Sequence, residues 1–181
     1  MVLRAEGTRG MVIRLAPTVH GAGDHTFIPE LIDRARQNGA SLYPGEGTNT
    51  WQAVFRDDAA ELYRLALERG KAGSRYHGIA EPAIPFRDIA VAIGQGLRLP
   101  TKSVTPEEAA EQMGWVARFA AKGVPTSSQW TQEELGWKPV GPTLFEDMHA
   151  CYFPASGSIV RIGLPKKRKP GTRTGSSGTQ R

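Results

Sequence analysis

A single cysteine, Cys151, stands in 181 residues, so no internal disulfide can form and nothing calls for an oxidising compartment. Long apolar runs are missing too, and none approaches the roughly 20 residues that cross a bilayer. Residues 1–10 hold charge in place of an apolar core, so no secretory leader is expected and the default location is cytoplasmic. The four histidines, His20, His25, His77 and His149, lack metal-ligand spacing with cysteine or acidic partners, so no metal site is expected. His20 and His25 flank Asp24 on one loop and could meet. A Gly-x-Ser-x-Gly elbow is absent, which argues against a serine hydrolase. Gly94-Gln95-Gly96-Leu97-Arg98-Leu99 is the nearest approach to a dinucleotide fingerprint. It lacks the third glycine and follows a helix, so it reads as a helix terminator.

Acidic residues are absent from Arg161 onward, where seven Lys and Arg lie. The rest of the chain holds sixteen basic against eighteen acidic residues, so the net charge of +5 belongs to the tail. The globular part therefore has no electrostatic footprint for nucleic acid. Residues 154–181 read as a disordered, solvated basic end; a nucleic-acid partner through that tail is the weaker alternative.

What is there centres on Gly10–Gly23. Met11, Val12, Ile13 and Leu15 form a short apolar run closed by Pro17, which predicts a buried strand of a parallel sheet. Its exit, Ala16 to Gly21, is the best candidate for a binding loop, since open α/β sheets bind ligands at the carboxyl ends of their strands. A helix is predicted over 25–38, burying Phe27, Ile28, Leu31, Ile32 and Ala35, with Gly39 behind it. Strands follow at 41–43, 51–55 and 75–80. Asp57 is expected to cap a helix running to Arg69 in preference to forming a catalytic pair with Asp58. Pro85 opens a further helix that stops near Gly94. Thr105-Pro106-Glu107-Glu108 starts one that runs to about Lys122, Thr131 starts another, and 142–149 holds a last one. Residues 1–9 suit the last turn of a helix with Gly7 as its cap. Cys151 reads as a packed or surface thiol, not a nucleophile.

The order of these parts, LAPTVHGAGDHTFIPELI, YPGEGTNTWQAVFRDDAAELYRLALERG, GSRYHGIAEPAIPFRDIAVAIG and WTQEELGWKP, resembles the carboxyl-terminal half of extended short-chain dehydrogenases/reductases. These are the relatives of NAD-dependent epimerases/dehydratases and of 3β-hydroxysteroid dehydrogenases. The resemblance implies an α/β, incomplete Rossmann-like fold: the last parallel strands plus a helical substrate-binding subdomain, together spanning 1–153. It implies NAD or NADP as cofactor, with Pro17, Thr18 and Val19 passing the nicotinamide. It implies a substrate cleft, for which His20, His25, Phe27, Trp51 and Arg56 are the candidates, and a small-molecule substrate. The family's Tyr-Gly-Pro stands as His20-Gly21-Ala22, and Phe55 replaces its histidine.

The family's Gly-rich phosphate loop and its Tyr-x-x-x-Lys pair do not occur. Tyr43, Tyr63, Tyr76 and Tyr152 are each followed four residues later by a residue other than Lys. In that chemistry the Lys lowers the pKa of the proton-transferring Tyr. No catalytic residue is therefore assigned, and the chain alone is expected to be inactive. A start inside an apparent helix predicts a truncated gene, a misplaced start codon or a shed half. The competing class is a non-catalytic binding or regulatory module that keeps the cleft. A homo-oligomer and docking to a missing N-terminal half both stay open.

Overall fold

Strand signals and helix signals alternate along the chain, and the elements of the computed structural model follow that alternation. It describes residues 7–120, 123 and 125–153. The expected helical turn before Gly7 and the basic tail fall outside these, in whole or in large part. The order is β1 (Val12–Leu15), β2 (Thr18–His20), α1 (Phe27–Asn38), β3 (Ser41–Pro44), β4 (Thr50–Phe55) and α2 (Arg56–Arg69). Then come β5 (Arg75–Gly78), β6 (Glu81–Pro85), α3 (Phe86–Leu97), β7 (Thr101–Val104) and α4 (Pro106–Gln112). A 3₁₀ turn (Gly114–Val116), α5 (Ala117–Ala120), α6 (Gln129–Leu135), α7 (Leu144–Asp147) and a π-helical turn (Met148–Tyr152) complete it.

The strands pair in three small sheets: β1 with β5, β2–β4–β6, and β3 with β7. All pairs are parallel except β4 with β6. The α/β class with parallel pairing holds. Among the described residues β1 pairs with β5 alone.

Strand β4 divides the protein. Side chains alternate across a strand, and Trp51 and Ala53 enter one core while Val54 enters another. The first core holds Ile28, Leu31 and Ile32 of α1 against Phe86, Ile89 and Ile93 of α3, with Val116, Ala120 and Leu144. The second packs α2 through Ala59, Leu62, Leu65 and Ala66 onto Tyr76, Leu135 and Trp137. A bulge in β6, where Pro82 and Ala83 oppose Gln52, interrupts the β4–β6 register. Bulges re-aim a side chain in this way.

Several expectations are corrected. Asp57 does not cap α2: the helix starts at Arg56 after Phe55, with no side-chain cap. Asp58, in its first turn, serves distant backbone instead. On α2 the buried face takes Leu65 and leaves Tyr63 and Leu67 exposed. The helix begun at Thr105 has its capping box but ends at Gln112, and Gly114 breaks the path with a φ of +61°. Gly94 and Gly96 do not terminate α3, which runs to Leu97 and is capped by Arg98 in the left-handed region. They are packing positions: a Cβ on Gly94 would lie 2.3 Å from Thr101 Oγ1, and one on Gly96 would lie 2.4 Å from the Phe153 ring. Thr131 lies inside α6, which starts at Gln129. The last helix is shorter than 142–149 and passes into the π turn. Strands β2, β6 and β7 were not foreseen.

Candidate functional site

The carboxyl ends of β1 and β5 open into a cleft of about 760 Å³ between the two cores. That volume suits a small organic ligand. Leu15, Pro17 and Ile79 form its side toward the second core, while Phe27, Trp51 and Phe119 face them from the first. A second groove, of about 650 Å³, lies between α3 and the segment from Phe145 to Phe153 and includes no strand residue.

The aromatic wall is a connected set of rings. Phe27 sits 5.1 Å from Trp51, 4.9 Å from Trp115 and 5.5 Å from Phe119, tilted or edge-on in each case. Such pairs favour offset or edge geometry. Trp51 also meets Phe86 at 5.5 Å, which anchors the wall to the first core.

Behind the wall, the Trp51 indole Nε1 donates to Thr18 Oγ1 at 2.8 Å, both residues being buried. Residues 17–19 are thus fixed to β4 by a side-chain bond as well as by β2 pairing. The opposite rim, residues 125–128, is stitched to β5. Ser128 Oγ donates to the Ile79 carbonyl at 2.6 Å, and the His77 backbone N–H donates to Thr131 Oγ1 at 2.8 Å. His77 Nδ1 lies 3.1 Å from the Ser127 carbonyl. A carbonyl only accepts, so Nδ1 is the donor in this contact.

The sequence-based candidates divide. Pro17, Phe27 and Trp51 line the cleft, with Thr18 fixed directly behind Trp51. Val19 packs against the second core. His25 is exposed and its Nδ1 faces the Gly23 carbonyl at 3.2 Å, so it does not meet buried His20. Arg56 lies along Gly21, whose φ is +143°, and donates to the Ala22 carbonyl. A Cβ on Gly21 would lie 2.6 Å from Arg56 Cδ, so the glycine is what lets the arginine brace this turn. Arg14 and His77 were missed as site residues.

His20 is fully buried between two acids. Its Nδ1 is 3.0 Å from Asp147 Oδ2, and its unbonded Nε2 is 3.8 Å from Glu81 Oε1. The arrangement ties β2 and β6 to α7, and the backbone N–H of Leu144 donates to Glu81 Oε1 at 2.7 Å. Burial pushes the Glu81 carboxyl above its usual range, partly offset by that N–H and by His20. Cys151 hydrogen-bonds Asp147, which with burial holds its thiol above the usual range and makes it a poor nucleophile. Tyr152 donates to Asp24 Oδ2 at 2.8 Å, and its hydroxyl is raised by burial and by that acid. Among the described residues no group of three or more His, Cys, Asp or Glu could hold a metal. No described helix is long and apolar enough to cross a membrane.

Glu81 gives a pH expectation. A raised carboxyl binds its proton more tightly in the folded chain than in the unfolded one, whose value is near 4.5. Its contribution to stability is present below that value and is lost as pH rises through the folded one. Glu81→Gln keeps an acceptor for Leu144 and removes the titration. Urea midpoints measured from about pH 4 to 7 should decline less with rising pH in the variant; parallel curves would contradict this.

Residues 2–79 match the NAD dependent epimerase/dehydratase family. An uncharacterized protein of Schizosaccharomyces pombe is 51% identical over 150 residues, covering 82% of this chain and 51% of the relative. The chain spans about half the length of the curated relatives it matches. In fold it is similar to a dTDP-glucose 4,6-dehydratase from Streptomyces venezuelae with NAD and TYD bound. The TM-score is 0.61 at 19% identity, over 80% of this chain and 43% of that one. It is also similar to RMD from Pseudomonas aeruginosa complexed with NADPH, with a TM-score of 0.54 at 17% identity, over 79% and 46% of the two chains.

Proposed function

We propose that this chain, whose residues 2–79 match the NAD dependent epimerase/dehydratase family, supplies the substrate side and the nicotinamide-facing segment of an NAD(P)-dependent oxidoreductase or epimerase. The observation that carries this is the cleft at the carboxyl ends of two parallel strands, with Pro17 on its rim and Trp51 locked to Thr18. That is where open α/β sheets hold ligands.

The residues present suit the nicotinamide half of the cofactor. Pro17 is exposed at the cleft, and Thr18, fully buried, acts by holding the segment still. When bound, the nicotinamide supplies or takes up a hydride. This chain's own residues bind and orient: the aromatic wall excludes water from one side, and the rim from Pro125 to Ser127 bounds the other. The dinucleotide's phosphates find no Gly-rich loop in this sequence, and no Tyr-x-x-x-Lys pair is present to move a proton. The chain alone is accordingly a set of walls without turnover.

The test is a fusion. The part of the S. pombe relative that lies outside the match is joined to this chain, its folding is checked by cooperative unfolding, and NADH and NADPH are titrated by fluorescence. One of the two should bind. In the fusion, Trp51→Phe removes the donor to Thr18 and should weaken that binding by about three- to tenfold. A folded fusion that takes up neither cofactor defeats the reading.

A further inference from the structure

We propose that the cleft takes a flat, apolar ring compound carrying a single carboxylate, and that Arg14 holds the carboxylate. This rests on the reading of the cleft as the substrate site and names the class of molecule it takes.

The register of β1 and β5 sets Arg14 directly opposite His77. Residues paired across neighbouring strands share a face of the sheet. Their neighbours on β5, Tyr76 and Gly78, are buried toward α2, and a Cβ on Gly78 would lie 2.8 Å from Leu62 Cδ2. Arg14 and His77 take the other face and both line the cleft. Arg14 is exposed and forms no salt bridge among the described residues. A guanidinium presents a planar fork that fits a carboxylate with two parallel bonds. His77, whose Nδ1 donates to the Ser127 carbonyl, stands beside Arg14 as the polar neighbour at that end of the cleft.

Across the cleft stand Phe27, Trp51 and Phe119. Phe119 is 51% exposed and its ring neighbour Trp115 is 47% exposed. Large aromatic rings left open beside a cleft mark a ligand or partner surface, and a flat ring is what edge-to-face neighbours accept. Charge narrows the class further. Among the described residues that line the cleft, Arg14 is the one with a permanent charge. One cation balances one carboxylate, whereas a nucleoside diphosphate brings at least two negative charges into the same space.

Calorimetric titration of the full chain with 2-naphthoate, 2-naphthylmethanol and dTDP tests this. Binding of 2-naphthoate is expected to exceed that of dTDP. Arg14→Gln should weaken 2-naphthoate by at least about tenfold, the loss of a charge-assisted bond, while leaving 2-naphthylmethanol within about twofold. Phe119→Ala should weaken both naphthyl compounds and retain the preference for the acid. Both side chains are solvent-exposed, so unchanged unfolding midpoints verify that the variants fold. Equal affinity for 2-naphthoate in wild type and Arg14→Gln, a preference for dTDP, or no binding of 2-naphthoate each overturns the proposal. If 2-naphthoate fails while the fusion binds NADH or NADPH, the ligand class is wrong and the cofactor-facing cleft stands. If 2-naphthoate binds through Arg14 while the fusion takes up neither cofactor, the oxidoreductase reading is what fails.

Discussion

Trp137→Ala is expected to lower the unfolding free energy by about 3–5 kcal/mol, the range for emptying a buried aromatic site. Trp137 is 0% exposed and belongs to the second core, with Leu62, Leu65, Tyr76 and Leu135. Its Nε1 also donates to the Asp58 backbone carbonyl at 2.9 Å. Truncation therefore opens a large cavity and removes a buried bond at the same point. Trp137→Phe keeps most of the ring and loses the bond, so its cost should fall to about 1–2 kcal/mol. Urea unfolding followed by far-ultraviolet circular dichroism measures both. A loss below about 1 kcal/mol for the alanine variant would mean that residues 135–141 are not docked as described.

Asp58→Ala should cost about 1–2 kcal/mol, because two backbone N–H groups lose a charged acceptor whose own side chain is buried. The carboxylate, 7% exposed, accepts from Val140 N at 3.1 Å and from Gly141 N at 2.9 Å. It sits in the first turn of α2, where the helix macrodipole also favours a negative charge. Gly141 is needed for the approach, since a Cβ there would lie 2.5 Å from Phe55 and 2.8 Å from Asp58 Oδ2. Asp58→Asn keeps one acceptor oxygen and should retain about half of the stabilisation. Asp58 and Trp137 clamp the same segment, so the double variant should cost less than the two single losses added together. Strict additivity in a double-mutant cycle would show that the two contacts act independently.

The sequence made some of this legible, and the misses have physical causes. Gly39 behind α1 and the Thr105–Glu108 box are local signals, written within one turn of the backbone, and both stand where expected. Asp58 was obscured because its partners lie some eighty residues away, while its position beside Asp57 looks like an ordinary helix start. Strand β6, Glu-Pro-Ala-Ile-Pro, has two prolines and no alternation; β4 alone makes it a strand. Gly94 and Gly96 carry the composition of a terminator and serve as contact surfaces. In the cleft, Pro17 was readable as the exit of an apolar strand. Arg14 and His77 were not, since their meeting depends on the β1–β5 register and no local spacing records it.

That long-range pairing has a kinetic side. The partners in β1–β5 and in β3–β7 lie about sixty residues apart, and each parallel pair closes around two helices. Contacts of this separation collect their enthalpy only after most of the loop-closure entropy has been lost, which slows folding. At roughly 5–20 residues per second, a ribosome releases β1 several seconds before β5 follows. During that interval the described residues offer Val12, Ile13 and Leu15 no strand to pair with. The floor of the cleft thus stays incomplete until residue 78 has emerged, and its apolar strand is exposed to aggregation until then.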